Sequence, residues 1–137
     1  MLKNLSPLLS GALLSVLDEM DEGQTLTLAG ADSPASTLSP RVIDLGDTST
    51  EEAAGAILSV LPLDADRTPI YYLDAGGELT DTAYAVGGLA RDAEMRRVEI
   101  VGMGAPAFLE LARESVATVR VEAGSRPDAF LFRKGAC

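Results

Sequence analysis

The sequence predicts an α/β domain, with helices layered on a mixed β-sheet and a single unit spanning residues 1–137. Three observations carry that prediction. Helix-like and strand-like runs alternate in the order α-β-β-α-β-α-β-α-β-β, the pattern of layered α/β folds. Hydrophobic residues make up 47% of the 137, enough for one core to form without staples. No internal repeat, linker or low-complexity segment divides the chain.

Each element has a local reason. Ser10 to Met20 reads as a helix, since Leu13, Leu14 and Leu17 recur at helical spacing and Ser10 can cap it. Gly23 ends that helix. Thr25-Leu26-Thr27-Leu28 alternates with period two, which predicts a strand with one buried face. Gly30 to Pro40, punctuated by Pro34 and Pro40, reads as loop, and Arg41 to Leu45 as a short extended segment. A second helix opens at Thr48–Glu51, where Ser49 and Glu52 have capping-box spacing; Ala56, Ile57, Val60 and Leu61 form its apolar stripe, and Pro62 stops it. Pro69 to Leu73 predicts a central strand, and Asp74 to Gly77 a turn. Asp81 to Ala93 predicts a third helix despite Gly87-Gly88. Val98 to Val101 follows as a strand, and Pro106 sits at the first position of a helix reaching Ser115. Val116 to Val121 and Ala129 to Phe132 predict a closing hairpin around a turn at Gly124 to Asp128.

Composition excludes whole classes of chemistry. Eleven basic against twenty-one acidic residues give a formal charge of −10, which repels phosphate backbones. Arg96-Arg97 and Arg133-Lys134 stand as isolated pairs, so nucleic acid is not an expected partner. Histidine is absent, which removes imidazole acid–base catalysis, Ser-His triads and imidazole metal sites. The single cysteine, Cys137, excludes an internal disulfide and suits the reducing cytoplasm. No apolar run is long enough for a membrane span, and the opening residues lack the unbroken apolar core of a secretory signal.

Several motifs invite functional readings that their chemistry does not support. Gly102-Met103-Gly104-Ala105 joins a strand to a helix, but it lacks the third glycine of a phosphate loop and Pro106 removes a donor. Asp64-Ala65-Asp66 lacks the glutamate of a calcium loop. Tyr71 and Tyr72 read as packing residues. Glu22 and Asp32 both border the first strand, where carboxylates can hydrogen-bond a ligand's hydroxyls or trade protons, although on the residues alone two solvated loop acids among twenty-one is the favoured reading.

The opening run Met1-Leu2-Lys3, Ser6-Pro7-Leu8, Leu13-Leu14, Val16-Leu17, Glu19-Met20 and Gly23 resembles that of the fucose mutarotase/ribose pyranase (RbsD/FucU) family. Pro34-Ala35, Pro40, Val42-Ile43 and the closing Leu131-Phe132-Arg133-Lys134-Gly135 extend the resemblance, while residues 45 to 97 match only in pattern. It implies an α/β domain assembling as a ring, commonly two stacked pentamers, with the active site near subunit contacts. It also implies a cofactor-free reaction: interconverting the anomers of a sugar such as L-fucose, or the ring forms of ribose, by general acid–base catalysis.

The departures are as informative. The family's catalytic histidine is replaced by Glu22, its sugar-binding aspartate by Gly30, and a second histidine by Asp32. Its arginine falls at about Ala105, and its Tyr-Gly-Asn becomes Pro127-Asp128-Ala129. Two readings follow. Either Glu22 and Asp32, with Asp128 nearby, act as acid and base, which requires burial to raise one carboxyl above its ordinary pKa of about 4; or the protein is a non-catalytic relative that binds another small ligand or serves as an assembly subunit. A weaker reading lets the three carboxylates hold a divalent cation. Convergence of Glu22, Asp32 and Asp128 on one pocket is what separates them.

Overall fold

The computed structural model describes residues 6–74, 79–122 and 128–136. Its elements run α1 (Gly11–Glu19), β1 (Thr25–Gly30), a one-turn 3₁₀ helix (Pro34–Thr37), β2 (Val42–Asp44), α2 (Thr50–Leu58), β3 (Ile70–Leu73), α3 (Asp81–Glu94), β4 (Ile100–Met103), α4 (Ala105–Glu114), β5 (Thr118–Val121) and β6 (Ala129–Arg133). The expected turns at Asp74 to Gly77 and Gly124 to Asp128 fall mostly outside the described residues.

Helix starts follow the capping chemistry. Ser10 Oγ accepts from the Leu13 amide at 3.2 Å. Ser49 and Glu52 form the reciprocal capping box, with the Glu52 amide donating to Ser49 Oγ at 3.1 Å. Thr80 Oγ1 caps α3 through the Ala83 amide. That helix tolerates Gly87-Gly88 because Ala83, Val86 and Ala90 bury its inner face, and packing outweighs intrinsic propensity. Pro106 lies in the first turn of α4, where its missing N–H costs nothing.

The six strands are ordered β2-β5-β1-β6-β3-β4. β2, β5 and β1 are parallel, as are β3 and β4, while β6 runs antiparallel between β1 and β3. The sheet is therefore mixed, as expected, but not through a closing hairpin. β5 and β6 lie on opposite sides of β1, pairing Thr27 with Thr118 on one edge and Leu28 with Phe130 on the other. β1 is also buried along its whole length rather than on one face. Leu26 and Leu28 face one layer and Ala29 the other, so the period-two pattern records large against small side chains, not core against solvent.

Three layers result. α1, α2 and α3 contribute Leu13, Leu17, Ile57 and Val86 to a core that also holds Leu26, Leu28, Val119, Phe130 and Phe132. On the other face a smaller cluster joins Phe108 and Ala112 of α4 and Ala35 to Ala29, Ala129 and Leu131. Phe130 stacks on Phe132 with centroids 6.4 Å apart, so it is a core residue and offers no surface to a neighbouring subunit. One consequence matters for function. All five parallel strands end at the same edge of the sheet, and β6 begins there.

Candidate functional site

The carboxyl edge gathers most of the residues that the sequence singled out. Gly30 ends β1, is buried, and donates its amide to the Asp128 carbonyl at 2.9 Å. Ala129 pairs with Ala29 one step along the ladder. The chain then turns tightly: the Ala31 amide reaches Val121 O at 2.8 Å, the Ser33 amide returns to Gly30 O at 2.9 Å, and Ser33 Oγ receives the Ala35 amide. Asp32 sits exposed in that turn. Gly30, Asp32, Asp128 and Ala129 thus share one corner. Ala105 opens α4 at the same edge, but beyond β4, three strands from β1, about 14 Å at ~4.8 Å per strand. Pro127 lies outside the described residues.

Glu22 does not join them. It is exposed in the loop before β1, at the amino edge, and six strand residues separate it from the turn that carries Asp32. At ~3.3 Å per residue that is about 20 Å. The structure therefore separates Glu22 from Asp32 within one chain, and no three-carboxylate cation site forms from Glu22, Asp32 and Asp128. Among the described residues no group of three or more His, Cys, Asp or Glu is placed to hold a metal. The order along the chain already implied this, since one acid precedes and the other follows the same strand.

Asp128 is the unusual member of the corner. Its Oδ2 is buried and has no hydrogen-bond partner among the described residues. A buried carboxylate oxygen loses its hydration, and leaving it unpaired is costly. The nearby cation does not relieve it: Arg120, opposite Ala29 in the ladder, donates instead to Asp44 Oδ2 at 2.8 Å and Glu122 Oε1 at 3.1 Å. Chemically, the corner offers one unused acceptor bordered by side chains no larger than alanine at 30 and 129. It suits a donor such as a hydroxyl.

The amino edge is different in kind. Asp64 is buried and accepts from the Asp66 amide at 2.8 Å, the Arg67 amide at 3.1 Å and Arg67 Nε at 2.9 Å. Burial pushes its carboxyl up, but the two amides and the Arg67 guanidinium outweigh that and hold it below the usual carboxylate range. Lys134 buries its ammonium against the end of α1, donating to Leu17 O at 2.7 Å and Met20 O at 2.8 Å. Arg133 Nη1 donates to Gly23 O at 2.9 Å. Gly23 takes φ +90°, a conformation that side chains rarely adopt, so the position favours glycine. The arginine pairs that look isolated in the sequence meet here: Arg96, Arg97 and Arg133 line one cleft with Arg67.

This architecture is shared with solved structures, although no family model matches the chain. The protein Atu2016, provisionally assigned as sugar-binding, is 27% identical with a TM-score of 0.89, covering 100% of this chain and 97% of its own. Fucose mutarotase from Streptococcus pneumoniae, solved with L-fucose, is 23% identical with a TM-score of 0.83 over 99% of both chains. Bacillus subtilis RbsD, solved with D-ribose, is 14% identical with a TM-score of 0.73, covering 100% of this chain and 99% of its own. The fold is that of the RbsD/FucU family. The resemblance read from the two ends of the sequence holds at the level of the whole architecture.

Proposed function

We propose that the chain binds a neutral monosaccharide, L-fucose or a sugar of that class, at the carboxyl edge, with Asp128 accepting from a sugar hydroxyl. The unpartnered, buried Oδ2 of Asp128 carries this reading. A ligand hydroxyl would give that oxygen the partner it lacks, and the matched structures with bound L-fucose and D-ribose support the ligand class. The proposal has the protein assemble as a ring of copies, decameric in the manner of two stacked pentamers, in the cytoplasm that its lone cysteine suits. No helix among the described residues is long and apolar enough to cross a membrane.

Mutarotation would run without a cofactor. Asp128 takes the proton of the anomeric hydroxyl, the bond from C1 to the ring oxygen breaks, and an acid protonates the ring oxygen; closure on the other face of C1 reverses the steps. Asp32 is the acid candidate within the same copy. Glu22 can serve the site only from a second copy, because β1 separates it from this corner. The alternative is a binding protein that catalyses nothing. It is favoured by Gly30, Ala105 and Ala129, which put no polar side chain where the family resemblance implies aspartate, arginine and asparagine.

Exchange NMR on L-fucose, then on D-ribose, decides between them. Anomer exchange faster with protein than without, and lost in both Asp128→Asn and Glu22→Gln, marks a mutarotase whose site spans two copies. Saturation transfer to the sugar without faster exchange, lost in Asp128→Asn alone, marks a binding protein. If the wild type shows neither, sugar recognition at this edge is refuted.

A further inference from the structure

A cleft of about 680 Å³ opens at the amino edge, between the starts of β3 and β4 and the end of β6. Its size lies within the range of small-molecule sites. Tyr71, half-buried against the α4 cluster, forms part of its wall. The chain has only eleven basic residues, and four of them, all arginines, line this one cleft. Two are committed. Arg67 pairs with Asp64, and Arg96 with Glu94 at 3.1 Å. The other two are not. Arg97 makes no ion pair among the described residues, and Arg133 spends Nε and Nη1 on the neutral carbonyls of Thr68 and Gly23, which leave its charge uncompensated.

Acceptors lie beside these donors. Asp66 and Glu99 line the same cleft; Glu99 receives one hydrogen bond, from Thr68 Oγ1 at 3.3 Å, and keeps acceptor capacity for more. A bare anion would meet these two carboxylates, and Asp64 already paired with Arg67, as well as the arginines, and a neutral sugar would leave the guanidiniums of Arg97 and Arg133 unused. A ligand with both an anionic group and hydroxyls uses everything present, with Tyr71 as an apolar wall for its ring carbons. Because the protein carries a formal charge of −10, its overall field repels anions, so retention depends on direct guanidinium contacts, which match phosphate and carboxylate geometry.

We propose that this cleft is a second binding site, for a monosaccharide bearing an anionic group, held by Arg97 and Arg133 at the anion and by Asp66 and Glu99 at the hydroxyls. It lies at the opposite edge from Asp128 and does not depend on the reading of that corner.

Isothermal titration with D-glucose 6-phosphate and D-glucuronate, against D-glucose and inorganic phosphate, tests it. At least one sugar anion is expected to bind, at least tenfold more tightly than either control, and the preferred one identifies phosphate or carboxylate as the anchor. Arg97→Gln, at an exposed position that should leave the circular dichroism unchanged, is expected to weaken binding about tenfold, and Glu99→Gln to weaken it less. Asp128→Asn should leave it unaltered, which separates this site from the carboxyl edge. Inorganic phosphate binding as tightly as the sugar phosphate, unchanged affinity in Arg97→Gln, or no heat with any probe at millimolar concentration would overturn the proposal.

Discussion

The two ends of the sheet are built on opposite principles. At the amino edge, charged side chains are buried and matched: Lys134 donates to the last carbonyls of α1, Asp64 receives three donors, and Gly135 brings its backbone close enough to Leu63 that a Cβ would lie 2.4 Å from Leu63 O. At the carboxyl edge the corner is lined by Gly30 and Ala129, and its one buried carboxylate oxygen is unmatched. Matched polar groups stabilise a fold, whereas an unmatched one is a cost that a ligand can relieve. The difference teaches that the chain gathers its buried, matched charges at one end and leaves a buried acceptor unmatched at the other.

The largest effect should come from breaking the matched end. Lys134→Met keeps much of the buried hydrocarbon but removes every donor to Leu17 O, Asp18 O and Met20 O. Hydrogen bonds to charged groups contribute about 1.5–3 kcal/mol each, and the stranded carbonyls add a desolvation cost. Relief of the buried ammonium's own desolvation offsets part of this, so a loss of about 3 kcal/mol is expected, read as a lower urea midpoint at unchanged slope. A loss below about 1 kcal/mol would mean that solvent reaches the end of α1 and that the two edges differ less than their geometry indicates.

How much of this contrast could be read from the sequence depends on whether the cause was local. Ser10, Ser49 with Glu52, and Pro106 act within a turn of their own helix, and each marks a helix start that the structure has. Strand order is not local. That β6 inserts between β1 and β3, rather than folding back on β5, is decided by which edges of β1 find apolar partners. Lys134 and Asp64 look like ordinary surface charges until residues far along the chain close over them. The carboxyl corner was partly legible: Gly30, Asp32, Asp128 and Ala129 were singled out through the family resemblance, and the fold brings them together. Grouping Glu22 with Asp32 overlooks the strand between them, and the arginine cleft is not legible in the sequence because its members come from three separated segments.

A second prediction tests the matched end through pH. Asp64 has its carboxyl held below the usual range, so it binds protons less readily folded than unfolded. The stability it contributes is fully present above its unfolded pKa of about 4 and is lost as pH falls through the lower folded value. Asp64→Asn keeps an acceptor for the two amides but loses the ion pair to Arg67, at a cost of about 1–2 kcal/mol at pH 7. Below pH 4 the wild type should converge on the variant, measured by urea titration from pH 7 down to pH 2.5. A gap that stays constant over that range would show that Asp64 contributes by packing and not by charge.

The smallest effect, and the one with opposite sign, belongs to the carboxyl corner. Asp128→Ala removes a carboxylate oxygen that is buried without a partner, so it removes a desolvation cost while breaking no side-chain hydrogen bond from that atom. The backbone contact from the Gly30 amide to Asp128 O does not depend on the side chain and should persist. Stability is therefore expected to stay level or to rise by up to about 1 kcal/mol, while any saturation-transfer signal from L-fucose disappears. A variant that gains stability as it loses a ligand is the signature of a residue retained for recognition. A loss of more than about 1 kcal/mol, with sugar contact intact, would instead make Asp128 part of the framework and erase the distinction between the two ends.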